Sequence, residues 1–133
     1  MVNNPGRPVL DVSWAQFNNA VEDLYFKIRE NKDLKYIYGL PRGGLPLAVA
    51  LSHKLNLELI TESTTLKLYK PEQLLVVDDI SDSGNTLVKF LEGFGEVETA
   101  TIFKRSQTKY KPTYIVQVLS KEWIKFPWES KWE

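Results

Sequence analysis

The chain has 133 residues, 43% of them hydrophobic, which suffices for one compact domain with a buried core but not for two ordinary domains. Seventeen basic and seventeen acidic side chains cancel, so no overall field favours nucleic acid or an anionic membrane. The absence of cysteine and the single histidine exclude disulfides, thiolate chemistry and a histidine-rich metal site. We therefore expect one domain over residues 1–133, with a locally built ligand pocket and oxygen ligands for any metal.

The sequence shows no targeting or membrane segment. Its first eight residues lack an apolar signal core, and no apolar run approaches the roughly 20 residues that span a bilayer. We expect a cytoplasmic protein whose partners are small molecules, not nucleic acid or membrane.

The first predicted element is an amphipathic helix over about residues 14–30. Ser13 and Gln16 have the spacing of a capping box, in which each side chain binds the other residue's backbone N–H. Apolar residues then recur at intervals of three and four, which places them on one helical face. These residues are Trp14, Phe17, Val21, Leu24, Tyr25 and Ile28.

Two units with the order strand, turn, helix follow. In each, a short apolar stretch is broken by a glycine-containing turn, after which helical spacing resumes. The first unit comprises residues 36–40, 41–44 and 45–55, and the second comprises residues 74–78, 79–84 and 86–94. Two such units predict a parallel sheet, because parallel strands need a crossover helix between them.

Shorter β-prone stretches complete the predicted sheet. They are residues 57–60, 65–68, 100–103 and 114–118. Strands that alternate with helices indicate an α/β fold. Residues 122–129 contain aromatic side chains without a clean period, and we expect this tail to fold over the sheet.

The residues with the densest chemistry follow the strand of the second unit. Ligands of open α/β sheets bind at the carboxyl ends of the strands, where both glycine turns lie. Asp78 and Asp79 could accept hydrogen bonds from sugar hydroxyls or hold Mg²⁺ through water. The turn of residues 82–86 offers backbone N–H groups and hydroxyls to a phosphate, although so short a pattern is also typical of an ordinary surface turn. The turn consists of Asp82, Ser83, Gly84, Asn85 and Thr86.

Residues 74–86 resemble the signature with which type I phosphoribosyltransferases bind 5-phosphoribosyl-1-pyrophosphate (PRPP). Further segments are similar, in order, to segments of xanthine-guanine phosphoribosyltransferases, so the resemblance covers most of the chain. These segments are residues 12–14, the Arg42-Gly43-Gly44 turn, residues 101–105 and residues 123–129. The resemblance implies a parallel sheet flanked by helices, with a small hood from the terminal segments and a flexible loop that is shortened here.

The resemblance also implies how PRPP is held. Asp78, Asp79 and the turn of residues 82–86 would bind the ribose and its 5′-phosphate, with Mg²⁺ near the two acids through water or ribose hydroxyls. The Arg42-Gly43-Gly44 turn would wrap the pyrophosphate, and the peptide that enters it from Pro41 would be cis. A plain glycine turn is the structural alternative.

The acceptor base would lie between Lys104, which donates to a 6-oxo group, and Trp123, whose ring stacks on it. Ile124 would contribute its backbone, and Glu129 could help to set base preference. A one-residue shift relative to some relatives could give the lysine's role to Arg105. Without the resemblance, a solvated lysine and a packed tryptophan would be the simpler interpretations.

Asp82 and Arg42 are the predicted catalytic residues. By resemblance, Asp82 contacts purine N7 and could take the proton that the base loses, although it could instead cap the following helix. Arg42 would neutralise the departing pyrophosphate. The implied activity is Mg²⁺-dependent transfer of the phosphoribosyl group to guanine, xanthine or hypoxanthine, in a homo-oligomer as in relatives.

The interval between the two turns departs from the family pattern. Relatives carry a long loop there that closes over the reacting centre and excludes water. Here only residues 62–73 are available, and we expect them to form a hairpin. Two function classes therefore stay open, an enzyme and a PRPP- or nucleotide-binding protein with little turnover. A phosphoacceptor receiver domain also uses paired acids, but it has no role for the Arg42-Gly43-Gly44 turn.

Overall fold

The protein, described here by a computed structural model over residues 6–129, is built on a parallel sheet. The strands are β1 (Val9–Asp11), β2 (Tyr36–Gly39), β3 (Glu58–Ile60), β4 (Leu74–Ser81), β5 (Glu98–Arg105), β6 (Tyr114–Leu119) and β7 (Trp123–Lys125). The helices are α1 (Trp14–Ile28), α2 (Leu45–Leu55) and α3 (Asn85–Phe90). Five strands pair in the order β3-β2-β4-β5-β6, all parallel. The predicted α/β class is confirmed.

Helix α1 begins where the sequence indicates. Gln16 N donates to Ser13 Oγ at 3.1 Å and Ser13 N donates to Gln16 Oε1 at 2.8 Å, so the predicted capping box is formed. The face that packs on the sheet is apolar, and Leu24 is fully buried. Trp14 also lies on this helix, but it is largely exposed.

Alternate residues of the sheet face two different layers. Leu75 and Val77 of β4 belong to the core that includes α1 and α2. Leu74 and Val76 face the opposite layer, which contains Leu87 of α3. Period-two alternation along β4 therefore supplies apolar side chains to helices on both faces of the sheet.

Two predicted boundaries in the second unit need correction. Strand β4 continues to Ser81, three residues beyond the predicted end, because its pairing with β5 continues through Ser81 and Lys104. Helix α3 ends at Phe90, not at residue 94. Beyond Phe90 the backbone bonds tighten to an i to i+3 pattern, and the chain turns at Gly93, whose φ is +83°.

Residues 61–73 replace the predicted strand and hairpin with two 3₁₀ helices, Ser63–Leu68 and Pro71–Gln73. The predicted strand over residues 65–68 is wrong because the backbone N–H and the hydroxyl of Thr65 both bind Glu62 O, which closes a 3₁₀ turn. The alternating sequence buries Leu66 but leaves Leu68 82% exposed.

The two ends of the described chain form the predicted hood. Strands β1 and β7 pair in parallel as a separate two-stranded sheet, with Leu10 opposite Ile124. The tail packs its aromatic rings against α1, since the Trp128 ring lies 5.4 Å from Phe17 and stacks at 4.9 Å on Phe126. In the part of the chain that the structure describes, no helix is long and apolar enough to cross a membrane.

Two leucines at opposite extremes of burial test this account of the core. Leu24→Ala should lower the free energy of unfolding by about 2 to 5 kcal/mol, because it removes buried methyl groups and leaves a cavity. Leu68→Ala removes the same atoms from solvent and should change it by less than about 0.5 kcal/mol. Urea denaturation followed by circular dichroism measures both, and equal losses would contradict the assignment of Leu24 to the core.

Candidate active site

Strand β4 places two carboxylates side by side in its carboxyl-terminal half. Both lie within the strand, Asp78 as predicted and Asp79 in place of the polar turn that the sequence predicts for it. Asp78 Oδ1 accepts from Asp79 N at 2.9 Å, and Asp79 Oδ1 accepts from Ile80 N at 2.8 Å. These local bonds hold both carboxylates at the strand end, where ligands of parallel sheets bind.

Burial and mutual repulsion disfavour two ionised carboxylates at this point. Burial raises the pKa of Asp78 to about 8, and the neighbouring charge of Asp79 adds to the effect. Burial also raises the pKa of Asp79, with a contribution from the charge of Glu129. A cation that binds here therefore displaces a proton, since carboxylate ligands must be deprotonated.

The first glycine turn packs directly against this acid pair. A Cβ on Gly43 would clash with the Asp79 carboxylate, and a Cβ on Gly44 would lie 2.6 Å from Val77 O, so neither position admits a side chain. The Pro41–Arg42 peptide is cis, as the resemblance implies. The side chain of Arg42 is exposed and forms no hydrogen bond or ion pair with residues 6–129.

The turn of residues 82–86 encloses a small cavity of about 60 Å³. Its lining consists of Asp78, Ile80, Ser81, Asp82, Ser83, Gly84, Thr86 and Leu87. The N-cap residue of α3 is Gly84, with φ of +89°, so Asp82 does not serve as its cap. Asn85 is exposed and does not line the cavity, although its N–H donates to Ser83 Oγ at 3.2 Å.

Three larger cavities, of about 240, 250 and 510 Å³, lie along α1. No residue predicted to bind a ligand lines any of them. We place the candidate site at the smaller cavity because the acid pair, the glycine turn and the backbone N–H groups and hydroxyls of the turn of residues 82–86 meet there, whereas size alone favours the others.

Arg105 is the basic residue that the structure brings to Asp82. Its Nε donates to Asp82 Oδ1 at 3.0 Å, with the arginine side chain 11% exposed and the aspartate side chain 71% exposed. Arg105 Nη1 is buried and has no hydrogen-bond partner among residues 6–129. Lys104 is half-buried, and its side chain forms no hydrogen bond or ion pair within the same residues.

The hood carries the remaining predicted base contacts. Trp123 is half-buried beneath the guanidinium of Arg7, 5.4 Å from the ring centre, and the side chain of Ile124 lies in the core. Glu129 Oε1 accepts from Phe126 N at 2.9 Å. This bond holds the Glu129 carboxylate near enough to Asp79 for its charge to act on the acid pair.

Sequence reasoning missed the loop of residues 106–113, which lies behind the turn of residues 82–86. Lys109 N donates to Ser83 O at 2.8 Å. No local pattern predicts this contact, because it depends on the pairing of β4 with β5. One sequence feature could have indicated a buried polar contact at this position, namely Ser81, a polar residue that directly follows a run of strand residues.

Comparisons with known proteins agree with this geometry. Residues 57–133 match the family described as the phosphoribosyl transferase domain. A xanthine-guanine phosphoribosyltransferase of Nitratidesulfovibrio vulgaris (strain Hildenborough) is 28% identical, over 94% of this chain and 87% of its own. A purine phosphoribosyltransferase of Pyrococcus horikoshii Ot3 is 30% identical, with a TM-score of 0.78 over 92% of this chain and 95% of its own. The xanthine-guanine-hypoxanthine phosphoribosyltransferase of Helicobacter pylori is 25% identical, with a TM-score of 0.74 over 90% and 92%.

These matches confirm the resemblance that the sequence motifs indicate. The family match covers residues 57–133, from β3 through the turn of residues 82–86 to the hood, and the named relatives cover 90 to 94% of this chain. This chain therefore belongs to the phosphoribosyl transferase domain family and has the type I fold of its xanthine-guanine relatives.

Proposed function

We propose that this chain, as one domain, is a purine phosphoribosyltransferase. It transfers the 5-phosphoribosyl group of PRPP to a 6-oxopurine (guanine, xanthine or hypoxanthine), which gives the nucleoside monophosphate and pyrophosphate. The observation that carries the proposal is the contact of Gly43 with the Asp79 carboxylate, beside the cavity of residues 82–86. Subsites for pyrophosphate, ribose and phosphate are thus neighbours, and the relatives named above are all purine enzymes.

The turn of residues 82–86 suits the 5′-phosphate. Its cavity of about 60 Å³ is well above the roughly 10 to 15 Å³ that one water needs. Backbone N–H groups and the hydroxyls of Ser83 and Thr86 supply donors. Because α3 has only six residues, we assign recognition to these donors and not to a helix dipole.

The acid pair fits Mg²⁺. Two adjacent carboxylates whose pKa values are raised are favourable partners for a hard cation. Among residues 6–129, no group of three or more histidine or acid side chains could hold a metal alone, so ribose, pyrophosphate or water oxygens would complete its coordination. Bound Mg²⁺ would neutralise negative charge that develops on the leaving group.

The transfer breaks the bond from the anomeric carbon to pyrophosphate and forms a bond from that carbon to a base nitrogen. Positive charge develops on the ribose, and Asp78 and Asp79 provide negative potential beside it. Arg42, exposed at the pyrophosphate turn, presents a planar fork that matches phosphate oxygens. Asp82 lines the cavity with a largely exposed carboxylate, and it accepts the proton that the base loses.

The base would lie between the end of β5 and the hood. Lys104, Trp123, Ile124 and Glu129 are the contacts that the family resemblance proposes. Arg105 is the alternative to Lys104 for the 6-oxo contact, and the observation that supports it is its Nη1, a donor without a hydrogen-bond partner in the described residues. A cytoplasmic homo-oligomer, as in the family, completes the proposal.

The alternative is a PRPP- or nucleotide-binding protein with little turnover. The observation that favours it is the short segment of residues 61–73, which packs Leu66 into the layer of α3 instead of extending over the site. Water exclusion would then be incomplete, and reactive intermediates would be less protected.

Turnover decides between these two functions. With PRPP and Mg²⁺, the protein should convert at least one of guanine, xanthine and hypoxanthine to its nucleotide and release an equal amount of pyrophosphate. Liquid chromatography of the products and a pyrophosphate assay measure this. PRPP or nucleotide binding by calorimetry without any nucleotide formed would favour the binding protein, and absence of binding of both PRPP and purine nucleotides would refute both functions.

The raised pKa of Asp78 predicts how stability depends on pH. The folded protein holds the Asp78 proton up to about pH 8, whereas the unfolded chain releases it near pH 4. Folded molecules therefore bind more protons in this interval, and the contribution to stability is lost as pH rises from about 4 to about 8. Asp78→Asn removes the titrating group and with it this loss. As pH rises, the free energy of unfolding of the variant should therefore increase relative to that of the wild type.

Urea denaturation at pH 5 and pH 8 measures that difference. Asp33→Asn, on an exposed residue after α1, is the control and should give the same difference at both pH values. A pH-independent difference for Asp78→Asn would contradict the buried, proton-sharing pair.

Matched alanine variants distinguish the two basic residues at the end of β5. Arg105→Ala should lower kcat/KM for 6-oxopurines roughly 10- to 100-fold, the usual effect of losing a charged hydrogen bond. It should also reduce the preference for a 6-oxopurine over adenine, while Lys104→Ala should have the smaller effect. Steady-state kinetics with each base tests this prediction. A larger loss of kcat/KM in Lys104→Ala than in Arg105→Ala would assign the 6-oxo contact to Lys104.

A further inference from the structure

The loop of residues 106–113, which we name the brace loop, supports the phosphate turn from behind. Lys109 N donates to Ser83 O at 2.8 Å. A Cβ on Gly84 would lie 2.5 Å from Tyr110 N and 2.7 Å from Thr108 Oγ1, so turn and loop are in direct contact. The positive φ of Gly84 is therefore fixed by a neighbour that is distant in sequence.

Three hydrogen bonds close a ring between β4 and the brace loop. Ser81 Oγ donates to Tyr110 O at 2.9 Å, and it lies 2.9 Å from Thr108 Oγ1. A serine hydroxyl has one proton, so in the second bond Thr108 must be the donor and Ser81 the acceptor. Thr108 Oγ1 in turn accepts from Tyr110 N at 3.4 Å. Each hydroxyl thus both donates and accepts, and removing either one leaves a partner unsatisfied.

The brace loop is also fixed to the centre of the sheet. Tyr110 OH lies 3.0 Å from Oγ1 of Thr99, a fully buried residue of β5. Thr113 N donates to Thr99 Oγ1 at 3.1 Å, and Thr99 N donates to Thr113 Oγ1 at 3.0 Å. Buried and reciprocally satisfied bonds of this kind make a rigid support.

We propose that Ser81 and Thr108 are positioning residues that hold the phosphate turn in the conformation that binds the 5′-phosphate of PRPP. The proposal rests on the proposed function. Ser81 is 1% exposed and directly precedes Asp82, so a change in its bonds is transmitted to the turn through one peptide. Among residues 6–129, no hydrogen bond joins this ring to the Arg42-Gly43-Gly44 turn, so its loss should affect the phosphate end of the ligand and not the pyrophosphate end.

The experiment compares ribose 5-phosphate with pyrophosphate, each in the presence of Mg²⁺, by calorimetry on the full chain. Ser81→Ala and Thr108→Val should each weaken ribose 5-phosphate binding on the order of tenfold, because a turn that must be ordered on binding loses affinity. Pyrophosphate affinity should stay within about twofold, and KM for PRPP should rise with kcat unchanged. Thr108→Ser, which keeps the hydroxyl, should bind ribose 5-phosphate as the wild type does.

The controls separate this proposal from folding and from the function itself. Undiminished pyrophosphate binding shows that a variant is folded, and Thr108→Val, on a half-buried loop residue, provides an independent variant beside Ser81→Ala. Equal weakening of both ligands, or unchanged ribose 5-phosphate binding, would overturn the positioning role alone. Wild-type protein that binds neither ligand would overturn the proposed function first.

Discussion

Two carboxylates on consecutive residues of the central strand are the constraint on which the site depends. Asp78 is held by the pairing of β4 with β5, opposite Thr101, and both carboxylates accept hydrogen bonds from the backbone of their own strand. The pair cannot move apart to relieve its repulsion, so the free protein retains a proton that ordinary aspartates release. Such a pair lowers the stability of the unligated folded protein. A bound cation or a set of hydroxyl donors stabilises the folded state again.

The residues around the acid pair follow from this constraint. Gly43 has no side chain because the Asp79 carboxylate occupies the space that a Cβ would need. Arg42, whose side chain is exposed, directly precedes Gly43, and Arg105 forms an ion pair with Asp82, the residue that follows the end of β4. A pair of carboxylates beside a turn that carries an exposed arginine suits a reaction in which a sugar becomes positive while its leaving group becomes negative.

The sequence predicted those parts of the fold that local chemistry determines. The capping box of Ser13 and Gln16 defined the start of α1, and apolar stretches before glycine turns located β2 and β4. The end of β4 was missed because aspartate and serine have low β-propensity, and the ladder with β5 outweighs that preference. Polar and apolar residues alternate over residues 65–68 as in a strand. Two hydrogen bonds from Thr65 to Glu62 O nevertheless stabilise a 3₁₀ helix there.

The candidate site also has parts that local sequence predicts and parts that depend on long-range contacts. Its motif residues were visible because phosphate and ribose chemistry restricts residue type over a short run. The contacts of Arg105 with Asp82 and of Lys109 with Ser83 join residues more than 20 positions apart, and only strand pairing brings them together. Residues that act through such long-range contacts therefore cannot be predicted from local sequence patterns.

The packing of residues 61–73 leaves PRPP binding possible but does not provide a cover that excludes water from the site. Leu66 is 1% exposed, and the Tyr69 ring lies 4.4 Å from that of Tyr36, so the segment is part of the packed layer beside α3. Moving it over the crevice would return Leu66 to water, which costs about 1.5 to 3 kcal/mol for a leucine. PRPP recognition does not require that movement, because both turns and the acid pair are already in place. Cover for the reacting centre must then come from the bound base, the hood or a neighbouring subunit, which links efficient transfer to the proposed homo-oligomer.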